Sequence, residues 1–172
     1  NHQLLDALCK LRARGNSVVV VEHDEDTMAR ADFIVDLGPG AGVEGGEVVA
    51  SGTLKQILRS KNSLTGVELG RQWDGGQALG QARPTNPPLA KRGGKNKTPS
   101  LVFKNLRKNN LKNLSVAIPL GRFVTVSGVS GSGKSTMVRE CMLPELKAAL
   151  KAKRGTGAVV GAESIKAVHE VD

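Results

Sequence analysis

Tyrosine is absent from this 172-residue chain, tryptophan occurs once and phenylalanine three times. So few rings exclude a base-stacking platform of the kind single-strand nucleic-acid binders use. Cysteine is almost as scarce: Cys9 and Cys141 lie far apart, and neither belongs to a C-x-x-C pair. A zinc site within the chain is therefore unsupported, and a disulfide would be unusual in a reducing compartment. Cys9 falls on the apolar face of a predicted helix and is expected to pack in the core. No apolar run approaches the roughly 18 residues of a membrane span. The first residues are polar and lack the basic start and apolar stretch of a secretory signal, and Asn1 in place of Met is expected of a processed or excised piece.

Acidic residues are missing from one long stretch. Between Gly75 and Arg139 there is no Asp or Glu, yet the stretch holds twelve lysines and arginines, including Arg83, Lys91, Arg92, Lys95 and Lys97. The net charge of the chain is +9. A basic block of this kind either attracts nucleic acid or is a solvated tether with a basic bias. Low complexity favours the tether.

What is present is a phosphate-loop pattern. "GVSGSGKST", residues 128–136, fits G-x-x-x-x-G-K-[ST] through Gly128, Gly133, Lys134 and Ser135. In such a loop glycines let the backbone turn its N–H groups onto phosphate, with Ser130, Gly131, Ser132 and Thr136 completing the cradle. Lys134 is expected to reach the β- and γ-phosphates, and the Ser135 hydroxyl a Mg²⁺ held through the nucleotide. The context agrees. "RFVTVSG" alternates as a strand does, and "KSTMVRECML" reads as a helix ending near Pro144.

The rest divides by composition. Leu4, Leu5, Leu8 and Leu11 give an apolar helical face, with Gly15 as a stop. "SVVVV", "DFIVDLG" and "EVVASG" read as strands, "EHDEDTMARA" as a turn and short helix, "PGAGVEGG" as a turn cluster. "TLKQILRS" reads as a helix capped by Thr53, and "SLTGVELG" as a further short helix. Residues 71–100, rich in Gly, Pro, Gln, Asn and Lys, are expected to be a flexible basic linker. "LVFKNLR" and "LKNLSVAIPLGRFVTVSG" follow as strands, and the tail "GAESIKAVHEVD" as one more. The expected class is α/β. Parts 1–70 and 101–172 form two partial lobes, each with parallel-strand and antiparallel elements. His23 emerges where the Val strand ends, before Asp24, Glu25 and Asp26; it is either structural or a γ-phosphate contact.

"GNSVVVVEHDEDTMARADFIVDLGPGAGVEGGEVVASGT" and "NNLKNLSVAIPLGRFVTVSGVSGSGKSTMV" resemble the UvrA family of the bacterial excinuclease. That family carries two ABC-type ATPase cassettes and senses DNA damage in bacterial nucleotide excision repair. The resemblance implies that 1–70 closes the first cassette and that 101–172 opens the second with its Walker A loop. It implies that His23 is the first cassette's γ-phosphate switch. The cofactors implied are ATP and Mg²⁺, with zinc in the parent protein but no zinc ligands in this chain. The implied parent is a cytoplasmic homodimer that binds damaged double-stranded DNA and loads UvrB, the excinuclease protein that acts after it. His23 and Lys134 would then serve separate nucleotides, and the chain alone would hydrolyse ATP negligibly. A hybrid in which both parts dock as one sheet is the counter-arrangement. The readings from other classes are a cassette of a transporter or antibiotic-resistance ABC protein, and a non-catalytic interaction module with a vestigial loop.

Overall fold

The computed structural model describes residues 2–73, 99–152 and 157–171. The chain opens with α1 (His2–Ala13), β1 (Val18–Val21), α2 (Glu25–Arg30) and β2 (Phe33–Gly38). It continues with β3 (Glu47–Gly52), α3 (Leu54–Arg59) and α4 (Leu64–Trp73). After the expected linker come β4 (Ser100–Leu106), β5 (Leu114–Pro119) and β6 (Phe123–Gly128). A helix then starts at Lys134, widens to π geometry over Thr136–Met142 and continues as α5 (Leu143–Ala152), before β7 (Val159–Val160). Arg71 lies in α4 and Ser100 opens β4, while residues 74–98 of the expected linker, with its basic cluster, lie outside the described residues.

The class is α/β, with parallel and antiparallel strands in one mixed sheet. Its order is β1-β6-β2-β3. Strand β6 pairs in parallel with β1 on one side, Val20 opposite Thr125, and with β2 on the other, Val35 opposite Val126. Strand β3 closes one edge antiparallel to β2. A second, antiparallel sheet has the order β5-β4-β7. The segments before and after the linker therefore share a sheet, which is the hybrid arrangement. The reason lies in β6, whose Phe-Val-Thr-Val-Ser run is buried throughout. Such a strand needs a neighbour on both edges and cover on both faces, and β1 and β2 supply the edges.

The two faces of the sheet have different cover. Val35 and Leu37 of β2 join Val124, Val126, the inward side chains of β4 and β5, and Met137, Cys141, Leu146 and Ala149 of the long helix. Ile34, one residue out of phase, packs on the opposite face with Met28, Ala31, Ile57 and Leu69. This follows from the two-residue period of a strand.

A buried ion pair fastens α1 to the sheet. Arg12 donates through Nε and Nη2 to the two oxygens of Asp32, at 2.8 and 2.7 Å, and the Phe123 amide donates to the same carboxylate at 2.8 Å. This sets the rotation of α1. Leu5 and Arg12 are buried, Leu8 and Cys9 half-buried, while Leu4 and Leu11 stay exposed. The expected Leu4–Leu5–Leu8–Leu11 face is therefore turned: the buried stripe runs through 5, 8, 9 and 12.

Two other expectations change. Pro144 does not end the helix. The Leu143 amide reaches back five residues to Val138 O, and this wider π turn accommodates a proline that lacks an N–H and would crowd an ordinary helical turn. The tail is not a strand either. Residues 165–171 are irregular, with Ile165 and Val168 against the core; the last strand is β7, on the free edge of β4. Thr53 does start α3, and Gln56 Oε1 accepts its amide at 2.8 Å.

The Arg12–Asp32 pair yields the first prediction. Arg12→Ala leaves Asp32 without its buried cation and is expected to cost about 3 kcal/mol of folding stability. Urea unfolding of the whole chain measures this, and an unchanged midpoint contradicts it.

Candidate nucleotide site

The loop of residues 128–136 sits at the carboxyl end of β6 and runs into the helix that begins at Lys134. Glycine is required at its start. Gly128 has φ +130°, and a Cβ there would lie 2.1 Å from Leu37 O. Gly131 and Gly133 also have positive φ, and a Cβ on Gly133 would meet Leu111 at 2.9 Å. Ser132 is fully buried and its hydroxyl has no hydrogen-bond partner, while its amide closes a turn onto Val129 O at 3.1 Å.

Lys134 folds back over the loop. Its ammonium donates to Gly128 O at 2.8 Å and to Val129 O at 2.9 Å. Burial lowers its pKa from the ordinary lysine value, and the negative charge of Asp36 opposes that shift. Ser130 and Ser135 are exposed, and Thr136 is half-buried. The Thr136 hydroxyl accepts from Asn109 Nδ2 at 3.2 Å.

Asp36 lies on β2 opposite Ser127 of β6 and is 1% exposed. The Ser63 hydroxyl donates to one of its oxygens at 2.6 Å and Thr65 to the other at 2.7 Å. Ser63 also accepts the Gly66 amide at 2.8 Å, so the carboxylate is tied to the start of α4. Burial raises its pKa; the two hydroxyls and Lys134 pull the other way.

The back of the loop is held by two segments. The Gly42 amide donates to Gly131 O and the Gly46 amide to Ser132 O, each at 3.0 Å. Asn110, between β4 and β5, donates through Nδ2 to both Gly42 O and Gly131 O at 3.1 Å. Sequence reasoning missed Asp36, Ser63, Thr65 and these clamping contacts. An aspartate inside the apolar run "DFIVDLG" was an available signal; the clamp had none beyond glycine density.

His23 is exposed, two residues beyond the end of β1. The Glu22 amide bonds Val126 O at 3.2 Å, extending the β1–β6 ladder to the threshold of the loop. Because β1 and β6 are parallel neighbours, the segments bearing His23 and the loop leave the same end of one sheet. The expectation that they belong to separate cassettes differs from this arrangement. No cluster of three or more His, Cys, Asp or Glu suited to a metal occurs among the described residues. Ser135, exposed at the helix start, suits a metal held through a bound phosphate; Asp36, locked by two hydroxyls, does not. No helix among the described residues is long and apolar enough to cross a membrane.

A G-x-x-x-x-G-K-S loop joining a central parallel strand to a helix is the geometry of the P-loop class of α/β proteins. No family model matches the chain. Individual relatives do. UvrABC system protein A of Thermus thermophilus is 47% identical over 176 aligned residues, covering 100% of this chain and 17% of that protein. The protein of the same name from Borreliella burgdorferi is 42% identical, with the same coverages. UvrA2 of Deinococcus radiodurans, known from a crystal structure, is 36% identical over 95% of this chain and 18% of that one, with a TM-score of 0.38. The chain belongs to the UvrA family, as a segment spanning about a sixth of the length of the relatives it matches.

Asp36 gives the second prediction. Its folded pKa is raised above the unfolded value, so the native state holds its proton more tightly than the unfolded state does. Its contribution to stability is therefore favourable at acid pH. It is lost as pH rises from the ordinary aspartate pKa through the raised one. Asp36→Asn keeps the shape and removes this dependence. It is expected to unfold at pH 7 no more readily than the unaltered chain, with a flatter stability profile in the weakly acid range. A clear loss of stability at pH 7 contradicts this.

Proposed function

We propose that the 128–136 loop binds Mg–ATP, and that this segment serves an ATP-driven DNA-damage recognition protein of nucleotide excision repair. The observation that carries the reading is the loop itself. Its backbone is fixed from behind, it opens a helix N-terminus, and Lys134 is folded against its carbonyls, placed to exchange those contacts for phosphate oxygens. The identity to UvrA proteins over the whole chain supports the nucleotide and the repair role together.

In this reading the loop amides from Gly128 to Gly133 and Lys134 hold the phosphates and stabilise charge that develops during transfer to water. Ser135 and Thr136 complete the cradle, and Ser135 bears the Mg²⁺ that neutralises the phosphates. Ser130, Gly131 and Ser132 form its bend. His23, leaving the adjacent strand end, meets the γ-phosphate side of the same loop. The whole protein couples ATP state to its grip on damaged double-stranded DNA and to loading of UvrB. It works as a cytoplasmic homodimer, with zinc held outside this chain. The chain by itself binds nucleotide but turns it over negligibly, since the water-polarising glutamate is contributed from elsewhere.

Titration of the chain with Mg–ATP tests the binding claim. Lys134→Ala removes a charge-assisted hydrogen bond of about 1.5–3 kcal/mol and is expected to weaken affinity about 10- to 150-fold. Equal affinity of the variant and the unaltered chain contradicts the role of Lys134. No affinity in either favours a vestigial loop.

A further inference from the structure

The peptide groups of the phosphate loop are held by a side chain from outside it. Gly131 O accepts two donors, the Gly42 amide at 3.0 Å and Asn110 Nδ2 at 3.1 Å. Both acceptor sites of that carbonyl are therefore filled. The same Asn110 nitrogen also donates to Gly42 O at 3.1 Å, tying the two approaching segments together. Two carbonyls facing one amide terminus leave no choice of orientation: the NH₂ end faces them. The oxygen end then faces Gly133, where an added Cβ would lie 3.1 Å from Asn110 Oδ1.

A trans peptide is planar, so fixing a carbonyl fixes the next N–H on the opposite side. Holding Gly131 O outward orients the Ser132 N–H, which closes the turn onto Val129 O. Holding Ser132 O through the Gly46 amide sends the Gly133 N–H away from the clamp and into the loop. The fit leaves no room for adjustment. A Cβ on Gly46 would lie 1.9 Å from Asn110 O, and one on Gly45 2.6 Å from Gly40 O and 3.0 Å from Ser132 Cα. The Gly46 carbonyl in turn accepts the Lys112 amide at 3.1 Å, so the β4–β5 connection and the 39–46 segment are laced to each other as well as to the loop.

We propose that Asn110 is a positioning residue for phosphate binding: its side-chain amide locks the Gly131–Ser132 peptide so that the loop's N–H groups are pre-aimed at a polyphosphate. Asn110 itself touches backbone, not ligand. The inference rests on the nucleotide-site reading above. A preformed cradle does not have to be ordered on binding, so loss of the lock is felt as loss of affinity for the phosphate chain itself.

The test uses the whole chain titrated with Mg–ATP and separately with Mg–tripolyphosphate, which has no nucleoside. The proteins are the unaltered chain, Lys134→Ala, Asn110→Ala and Asn110→Asp. Asn110→Ala is expected to weaken both ligands by about 5- to 30-fold, on the scale of one or two neutral hydrogen bonds. Asn110→Asp, matched in size but presenting acceptors to two carbonyls, is expected to weaken both further. If Asn110→Ala melts before titration, Asn110→Asp carries the test with the same readouts. Weaker ATP binding with unchanged tripolyphosphate binding overturns the proposal and places Asn110 at the nucleoside. Unchanged binding of both, alongside a loss in Lys134→Ala, overturns the proposal alone. No ATP binding by the unaltered chain overturns the nucleotide-site reading and the proposal with it.

Discussion

The double parallel pairing of β6 is the constraint on which the rest depends. That strand carries the phosphate loop at its end, and it is buried along its length between β1 and β2. A central parallel strand fixes what stands beside it as well as what it carries. Residue 128 falls opposite Leu37, and the chain beyond Val21 falls beside the loop's entry. Asp32 extends the constraint at the other end of the strand, where one carboxylate receives the Phe123 amide and the Arg12 guanidinium. The amino end of β6 is pinned by charge and its carboxyl end by backbone contacts, so the loop inherits a defined height and direction.

Around the loop, polar groups are arranged in two tiers. Below it, on the face covered by α3 and α4, Asp36 is enclosed by Ser63 and Thr65 and supplies negative potential to Lys134. Burial opposes both charges, raising the pKa of the acid and lowering that of the lysine. Each partly offsets the desolvation of the other. Behind it, neutral amides from Gly42, Gly46 and Asn110 grip the carbonyls. The charged tier sets the potential at the lysine. The neutral tier sets geometry. This explains why glycine is concentrated in 38–46: backbone passes so close to backbone there that Cβ atoms at 45 and 46 have no space.

Much of this was legible locally. The Val run, "DFIVDLG" and "RFVTVSG" announce buried strands by composition, and the loop pattern announces itself by glycine spacing. Thr53 and Gln56 mark a helix start across three residues. What was not legible was long-range. Nothing in "RFVTVSG" says that its neighbours are strands on the far side of the linker, because any buried edge would satisfy it. The apolar face of α1 was misjudged since hydropathy treats Arg12 as surface, whereas Asp32, twenty positions later, makes its burial favourable. Pro144 read as a stop because the compensating π turn depends on the packing of Met137, Cys141 and Met142 against the core. Asn110 carried a family likeness but no chemistry until the carbonyls it bridges were in place.

The central claim is that the segments on either side of the linker form one sheet, with β6 between β1 and β2. Cross-strand nuclear Overhauser contacts of the whole chain test it most directly. The account predicts parallel-strand contacts between the backbone of Val20 and Thr125 and between Val35 and Val126, all in one molecule. Contacts within each segment but none between the β1 and β6 backbones would contradict it.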